Sequence, residues 1–236
     1  MTYLFAAQLG FIALTIIWLI LIYIQLKKSS AHLGTEIQQN ILRKYSIGIS
    51  VWFLFISTLS ILGVFSDFST LPPRLPFALA FPILVLIYLL MRFEHLDSIL
   101  KHTPPKWFLN IQFFRFFVEI LLWFLFLAET LPQRMTFEGY NFDIIAGVTG
   151  PIFAYWCFAN QRQKQQLAII WNILGLLFLI NIVSIALMTM PTPLQVFQED
   201  NTIIGTFPMP LLPTILVPIA YYMHVFSLRQ LLKTAR

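Results

Sequence analysis

Two charged residues, Arg115 and Glu119, lie deep inside a long hydrophobic segment and are the first candidates for chemistry. The segment covers residues 108–131 and is predicted to cross a membrane as a helix. Residues four apart share a helix face, so Arg115 and Glu119 are expected to pair, with Gln112 beside them. A charge at the bilayer centre costs roughly 2.5–3.5 kcal/mol on insertion scales, so the pair must face the bundle or a water-filled cavity. Two interpretations stay open, an ion pair that fixes helix packing and a binding or proton-relay site.

Polar side chains in other hydrophobic segments are candidates to join this pair in binding a small polar or ionic ligand. They are Asn172, Asn181, Tyr221, Tyr222 and His224. Single polar residues in membrane helices more often bond one helix to another, and that interpretation stays open for each of them.

A second candidate site follows the same hydrophobic segment, in a connection rich in turn residues that is expected on the outer side of the membrane. Three carboxylates, Glu129, Glu138 and Asp143, could gather there around a cation. They could instead pair with Arg134 or cap the next helix, a role that suits Asn141 or Asp143.

Glycines and prolines are predicted to break two of the membrane helices. The positions are Gly147, Gly150, Pro151, Pro213 and Pro218. Proline removes a backbone donor and crowds the carbonyl four residues earlier, so a kink is expected at each proline. Interrupted membrane helices expose backbone groups that can bind ions, although an ordinary kink is the simpler interpretation.

Several kinds of chemistry are disfavoured, and we predict no cofactor and no metal. A retinal Schiff base needs a lysine inside the bundle, but all seven lysines lie at or beyond helix ends. A haem held by two histidines needs a second membrane histidine beside His224, and the sequence offers none. We find no phosphate-binding loop, zinc-protease motif or serine-hydrolase motif, so the sequence gives no support to an enzyme.

The composition predicts an integral membrane protein. Hydrophobic residues make up 58% of the 236 residues and charged residues only 11%, against about 25% in soluble domains. Continuous apolar runs favour helices over a β-barrel. We therefore predict an all-α bundle of seven transmembrane helices in one domain, residues 1–236. The predicted spans are residues 2–26, 45–65, 76–91, 108–131, 142–159, 167–190 and 207–228.

The distribution of cations predicts that the N-terminus is outside and the C-terminus cytoplasmic. With that orientation, all but three of the 15 lysines and arginines lie on the cytoplasmic side, as the positive-inside rule requires. The exceptions are Arg74 and Arg134, on the outer side, and Arg115. Cytoplasmic loop cations also explain the basic pI better than nucleic-acid binding does, and a plasma or inner membrane suits them.

Three functions remain as hypotheses. The first is a small transporter or permeation protein built around Arg115 and Glu119. The second is a seven-helix sensor or receptor that signals through a separate protein at the basic cytoplasmic loops. The third is a structural or assembly subunit in which Arg115 and Glu119 fix the packing.

Overall fold

The fold was obtained as a computed structural model, which describes residues 1–69, 74–160 and 163–234. Nine α-helices are found in this part of the chain, and it contains no β-strand. Their bounds are α1 Thr2–Ser29, α2 Thr35–Ile61, α3 Arg74–Arg92, α4 Leu96–Lys101, α5 Pro105–Asn110, α6 Phe114–Leu127, α7 Asp143–Phe158, α8 Gln165–Thr189 and α9 Val217–Thr234. Of the cytoplasmic cations predicted above, Arg162 and Arg236 lie outside the described residues.

Short helical turns join or precede some of these helices. A 3-10 turn, Ile111–Phe113, connects α5 to α6, so that residues from Pro105 to Leu127 form one membrane-length helix. A π-helical segment, Leu212–Leu216, leads into α9. Three further 3-10 turns lie in connections, at Ala31–Leu33, Gln133–Met135 and Thr202–Gly205.

Six helices are long and apolar enough to cross a membrane, which makes the chain an all-helical membrane protein. They are Thr2–Ser29, Thr35–Ile61, Arg74–Arg92, Pro105–Leu127, Gln165–Thr189 and Leu212–Lys233. The fifth predicted span contains only the 16 residues of α7. At 1.5 Å per residue α7 is about 24 Å long, short of the roughly 30 Å hydrocarbon core.

The short helix α7 nevertheless lies at the centre of the bundle. It packs against α5, α6 and α8, while α9 packs against α5 and α8 on the other side. Helix α1 packs along α6, and α2 joins the structure mainly through α1. Helices α2 and α3 are therefore peripheral, and most of their surface is left for lipid.

Part of the connection between α6 and α7, residues 128–142, is buried, while Glu129, Gln133, Glu138, Tyr140 and Phe142 are exposed. Leu131, Met135, Thr136 and Asn141 have almost no accessible surface. The connection ends at Asp143, which bonds to Arg115 near the middle of the Pro105–Leu127 helix. Helix α7 begins near the level of Glu119, since Gly147, one turn later, packs against Phe116. Many backbone groups of the connection form hydrogen bonds within the protein, a condition for irregular chain inside a membrane bundle.

Helix α7 runs without a break through Gly147, Gly150 and Pro151, contrary to the prediction of a helix interruption there. The glycines instead permit close packing. A Cβ at Gly147 would collide with the backbone nitrogen of Phe116, and one at Gly150 would lie 2.6 Å from the Leu109 carbonyl oxygen. Small residues of this kind let membrane helices approach closely.

The other two predicted break positions fall where α9 begins. Pro213 lies in the π-helical segment, where the hydrogen-bond ladder departs from the α pattern. Pro218 is the second residue of α9 and follows that segment directly, so the helix continues through both positions.

An ion pair attaches α4 to α9. Asp97 accepts hydrogen bonds from Arg229, at 2.6 and 3.0 Å, and is also paired with Lys233. Hydrogen bonding from Arg229 is the main cause that lowers the pKa of Asp97 to about 2. The carboxylate therefore stays ionised at physiological pH and keeps α4 against the end of α9.

Replacing Gly147 with alanine is expected to destabilise the bundle by roughly 1–3 kcal/mol, because the new methyl group meets backbone that cannot move away. The thermal unfolding midpoint of the purified protein in detergent measures the change. Gly48→Ala in α2 is the matched control, since no atom lies within 4 Å of that position. Equal midpoints for the two variants would contradict the packing described for α7.

Candidate functional site

Arg115 is the largest fully buried side chain among the described residues, with 1% of its surface exposed. Its guanidinium forms a two-pronged ion pair with Asp143. Nε donates to Oδ2 at 2.7 Å and Nη2 donates to Oδ1. The expected pair with Glu119 does not form. Two-pronged arginine–carboxylate pairs are strong and fix orientation, so Asp143 holds the start of α7 against α6.

Arg115 also contacts the two remaining central helices. Nη1 lies 2.9 Å from Nε2 of His224 on α9, and Nη2 donates to the Gly175 carbonyl oxygen on α8 at 3.1 Å. Four of the five guanidinium N–H groups are thereby used. Gly175 is required here, since a Cβ would collide with the His224 ring. Arg115 thus joins α6, α7, α8 and α9 at one point and has little capacity left for an anionic ligand.

The hydrogen bonds of His224 define its protonation state. Nε2 faces an arginine donor, so it must accept. Nδ1 lies 2.9 Å from Oδ1 of Asn172, whose amide nitrogen donates to the Ala168 carbonyl and, at 3.0 Å, to Ser227 Oγ. Nδ1 must therefore carry the hydrogen, and His224 is the neutral tautomer with one N–H. Of the predicted candidates, His224 contacts Arg115 directly and Asn172 does so through His224.

Glu119 lies on the other side of Arg115 and has a partner of its own. Its Oε1 accepts a hydrogen bond of 2.6 Å from Asn141, which also donates to the Met135 carbonyl oxygen. The Asn141 side-chain oxygen accepts from the amide of Asp143, the first residue of α7, although the N-cap position itself is Phe142. Oε2 of Glu119 is buried and has no hydrogen-bond partner among the described residues.

The charges of this central network, defined as Arg115, Glu119, Asn141, Asp143, Asn172 and His224, do not balance without a further positive charge. Arg115 is neutralised by Asp143, and His224 is neutral. Glu119 therefore has no cation beside it, although only 1% of its surface is exposed. A buried charge without a partner is strongly unfavourable, so Glu119 must bind either a proton or a small cation.

Gln112 lies one turn from Arg115 on the side away from Glu119. Its amide nitrogen donates to the Ala220 carbonyl oxygen at 3.1 Å, and its Oε1 is buried without a partner among the described residues. It therefore bonds α9 to the Pro105–Leu127 helix and lies beside the central network without a direct bond to it.

The other predicted ligand-binding residues lie apart from the central network. Asn181 donates to the Tyr140 carbonyl oxygen at 2.7 Å. Tyr222 donates to the carbonyl oxygen of Pro82 in α3, and Tyr221 packs against the hydrophobic core. Asn181 and Tyr222 thus bond one element to another, as single polar residues in membrane proteins commonly do.

The predicted outer acidic cluster does not assemble. Asp143 is bound to Arg115, Glu138 accepts a 2.9 Å hydrogen bond from the indole of Trp123, and Glu129 is exposed. The described part of the chain contains no group of three histidine, cysteine, aspartate or glutamate residues that could hold a metal. The cluster does not form because Asp143 is buried against Arg115, whereas Glu129 and Glu138 remain at the surface.

Two connections cover Glu119 from above. The first is the connection between α6 and α7, residues 128–142, and the second joins α8 to α9. Arg134 of the first pairs with Glu199 of the second and lies 4.2 Å above the ring of Phe197. Asn201 donates to the Ala186 carbonyl at 2.9 Å and lies 3.4 Å from the Met135 sulfur. These contacts close the space between Glu119 and the nearer surface.

Sequence reasoning identified the charged residues but missed their mutual arrangement. Gly175 and Ser227 were overlooked because neither a carbonyl oxygen nor a lone serine gives a distinctive signal in a hydrophobic segment. Asn141 was considered only as a helix cap, but it lies one residue before the N-cap and bonds to the amide of Asp143. Its second contact, with Glu119, depends on the depth of the connection, which has no local sequence signal.

Taken together, a bundle of membrane-length helices around a buried polar network defines a multi-pass membrane protein. The chain belongs to the family described as "Domain of unknown function (DUF8737)", which matches residues 72–232. The match begins just before α3 and contains every member of the central network, while α1 and α2 lie outside it. Neither the curated proteins nor the solved structures contain a match to this chain.

The substitution Asp143→Asn is expected to lower the unfolding free energy by roughly 3–5 kcal/mol, because it leaves the buried Arg115 charge uncompensated. Glu119→Gln keeps an oxygen that can accept from Asn141 and should change stability by less than about 1 kcal/mol. Denaturation of both variants in detergent micelles gives the comparison. A Glu119→Gln variant as unstable as Asp143→Asn would show that Glu119, not Asp143, balances Arg115.

Proposed function

We propose that this chain is a small membrane transporter or permeation protein in which Glu119 binds a proton or a small cation inside the bundle. The observation that carries the proposal is the unpartnered Oε2 of Glu119, in a network with one arginine and two carboxyl groups. Glu119 must accept a positive charge to be stable there, and a group that accepts a positive charge inside a membrane can also release it.

The surroundings of Glu119 support this function. Helix α7 begins beside it, and irregular chain continues from there toward the surface. Transporters commonly build their sites from such discontinuous helices, whose ends and unwound backbone contact the ion or substrate. The Arg115–Asp143 pair would then serve as the fixed frame, and Glu119 as the group that changes its occupancy.

A line of polar groups leads from the network toward the other end of the bundle. His224, Ser227 and Gln230 follow one another along the same face of α9, at steps of three residues. Gln230 is buried and donates to the carbonyl oxygens of Leu100 and Thr103 at the ends of α4. With Glu119 above Arg115, this face supplies a polar route along much of the bundle.

We place the N-terminus outside and the C-terminus in the cytoplasm of a plasma or inner membrane. Six crossings would put both termini on one side, so this orientation needs a seventh crossing. We assign that crossing to residues 128–142 together with α7. The excess of lysine and arginine on one side supports the assignment. The seven-helix sensor remains an alternative with the same layout, but no contact in the bundle favours it over transport.

The orientation predicts opposite labelling of the two ends by a membrane-impermeant maleimide. Cys157 is free and buried, so a Cys157→Ala background gives a chain without other thiols. In intact cells, Thr2→Cys should react and Lys233→Cys should react only after permeabilisation. Equal labelling of both positions in intact cells would mean an even number of crossings and would overturn the assignment.

The transport function is tested with the purified chain in liposomes that contain a pH-sensitive dye, with a parallel assay of sodium uptake. An imposed membrane potential should drive proton or sodium entry through the wild type. Glu119→Gln should reduce the flux to the level of protein-free liposomes, because the amide binds neither ion as a charge-balancing group. Glu129→Gln, an exposed carboxylate outside the network, is the matched control and should keep the wild-type flux.

A wild-type flux that survives Glu119→Gln would remove Glu119 from the mechanism. The absence of any proton or sodium flux through the wild type would favour the second candidate, a structural or assembly subunit. That candidate is supported by the four hydrogen bonds of Arg115, which connect helices α6 to α9 at one point. The predicted instability of Asp143→Asn applies to both candidates, so the flux assay separates them.

A further inference from the structure

A groove lies between the two peripheral helices, α2 and α3, well away from the central network. It has a volume of about 770 Å³, within the range of small-molecule sites, and its walls are almost entirely apolar. Aromatic rings form much of the lining, at Trp52, Phe55, Phe77 and Phe81. We call it the α2–α3 groove.

The two ends of the α2–α3 groove differ. At one end the rings of Trp52 and Phe81 stack with their centroids 4.7 Å apart. At the other end is Arg74, the first residue of α3 and the one charged residue among those that line the groove. Arg74 and Phe81 are seven residues apart on one helix, so the groove extends roughly 10 Å along α3.

Arg74 retains hydrogen-bonding capacity. Its Nη1 lies 3.4 Å from the Val64 carbonyl oxygen and its Nη2 3.6 Å from Oδ2 of Asp67, both at or beyond the limit of a hydrogen bond. Nearly half of each side chain is exposed. The guanidinium can therefore bind an additional anionic oxygen without breaking a strong contact.

Asp67 offers the opposite charge beside it. The side-chain and backbone hydrogen bonds from Ser69 both reach Oδ1, at 2.6 and 3.1 Å, and leave Oδ2 for another donor. The same hydrogen bonds, with a smaller contribution from Arg74, lower the pKa of Asp67. A cation and a carboxylate thus lie together at the end of an apolar groove.

We propose that the α2–α3 groove binds a phospholipid with a zwitterionic headgroup that carries a primary ammonium, with the phosphate on Arg74 and the ammonium on Asp67. One acyl chain would lie along Phe77 and Phe55 toward the Trp52–Phe81 stack. The assignment follows from charge complementarity, since the groove presents one positive and one negative group beside an apolar channel. It is independent of the function proposed for Glu119.

The location of the groove in the bundle fits a lipid rather than a soluble ligand. Helices α2 and α3 are both long enough to cross a membrane and are the most peripheral of the bundle. Asp67 follows the end of α2 and Arg74 begins α3, so both lie at headgroup level, with the aromatic rings at the level of the acyl chains. This holds for either orientation of the protein in the membrane.

Binding is measured by native mass spectrometry of the delipidated protein titrated with lipids that share their acyl chains. The wild type should bind phosphatidylethanolamine roughly two- to fivefold more tightly than phosphatidylcholine, the range expected for one exposed charged contact. Asp67→Asn should abolish that preference, because only the primary ammonium can donate hydrogen bonds to the carboxylate. Arg74→Gln should weaken binding of both lipids, since both carry a phosphate.

Arg134→Gln is the matched control, because Arg134 is the other arginine predicted on the outer side and lies outside the groove. It should leave lipid binding unchanged, while Ala78→Trp, which fills the groove, should reduce binding of every phospholipid. Equal binding of the two lipids by the wild type would overturn the proposal, as would a preference for phosphatidylglycerol. Wild-type lipid binding by Arg74→Gln would do the same.

Discussion

The buried pair of Arg115 and Asp143 is the interaction on which the rest of the structure depends. A guanidinium in the middle of a membrane must be neutralised and must have its donors satisfied, and only the start of α7 supplies both oxygens. That requirement draws the connection before α7 down into the bundle. The depth at which α7 begins, the irregular chain above it and the position of Asn141 all follow from where the carboxylate has to be.

Close approach of the helices is the second condition for the pair. Gly147 lets α7 reach the backbone of α6, and Gly175 leaves room for the His224 ring, so glycine positions determine which polar groups can meet. Once they meet, each hydrogen bond determines the next. Arg115 donates to Nε2 of His224, so Nδ1 carries the hydrogen and donates a hydrogen bond to Oδ1 of Asn172. One carboxyl oxygen of Glu119 has no hydrogen-bond partner among the described residues.

Long hydrophobic runs and sparse charges made the membrane class and six of the membrane-length helices predictable, because both properties are local. The burial of Arg115 and Glu119 was also predictable, since charged residues inside a hydrophobic segment must face the interior of the protein. Their partners were not predictable. Helical spacing favours Glu119 for Arg115, but a side chain from a distant segment reached it with better geometry. The polar composition of residues 128–142 is also that of a surface loop, and only tertiary contacts reveal its depth.

The sequence separation of these contacts has a consequence for how the protein is made. Asp143 follows Arg115 by 28 residues and His224 follows it by 109, so the helix that contains Arg115 is synthesised long before its partners exist. Until then the arginine has no ion pair in the hydrocarbon, a state that insertion scales place roughly 2.5–3.5 kcal/mol above a neutral helix. The ion pair therefore forms only after α7 has been synthesised, and His224, in the C-terminal part of the chain, is the last of the side chains that contact Arg115.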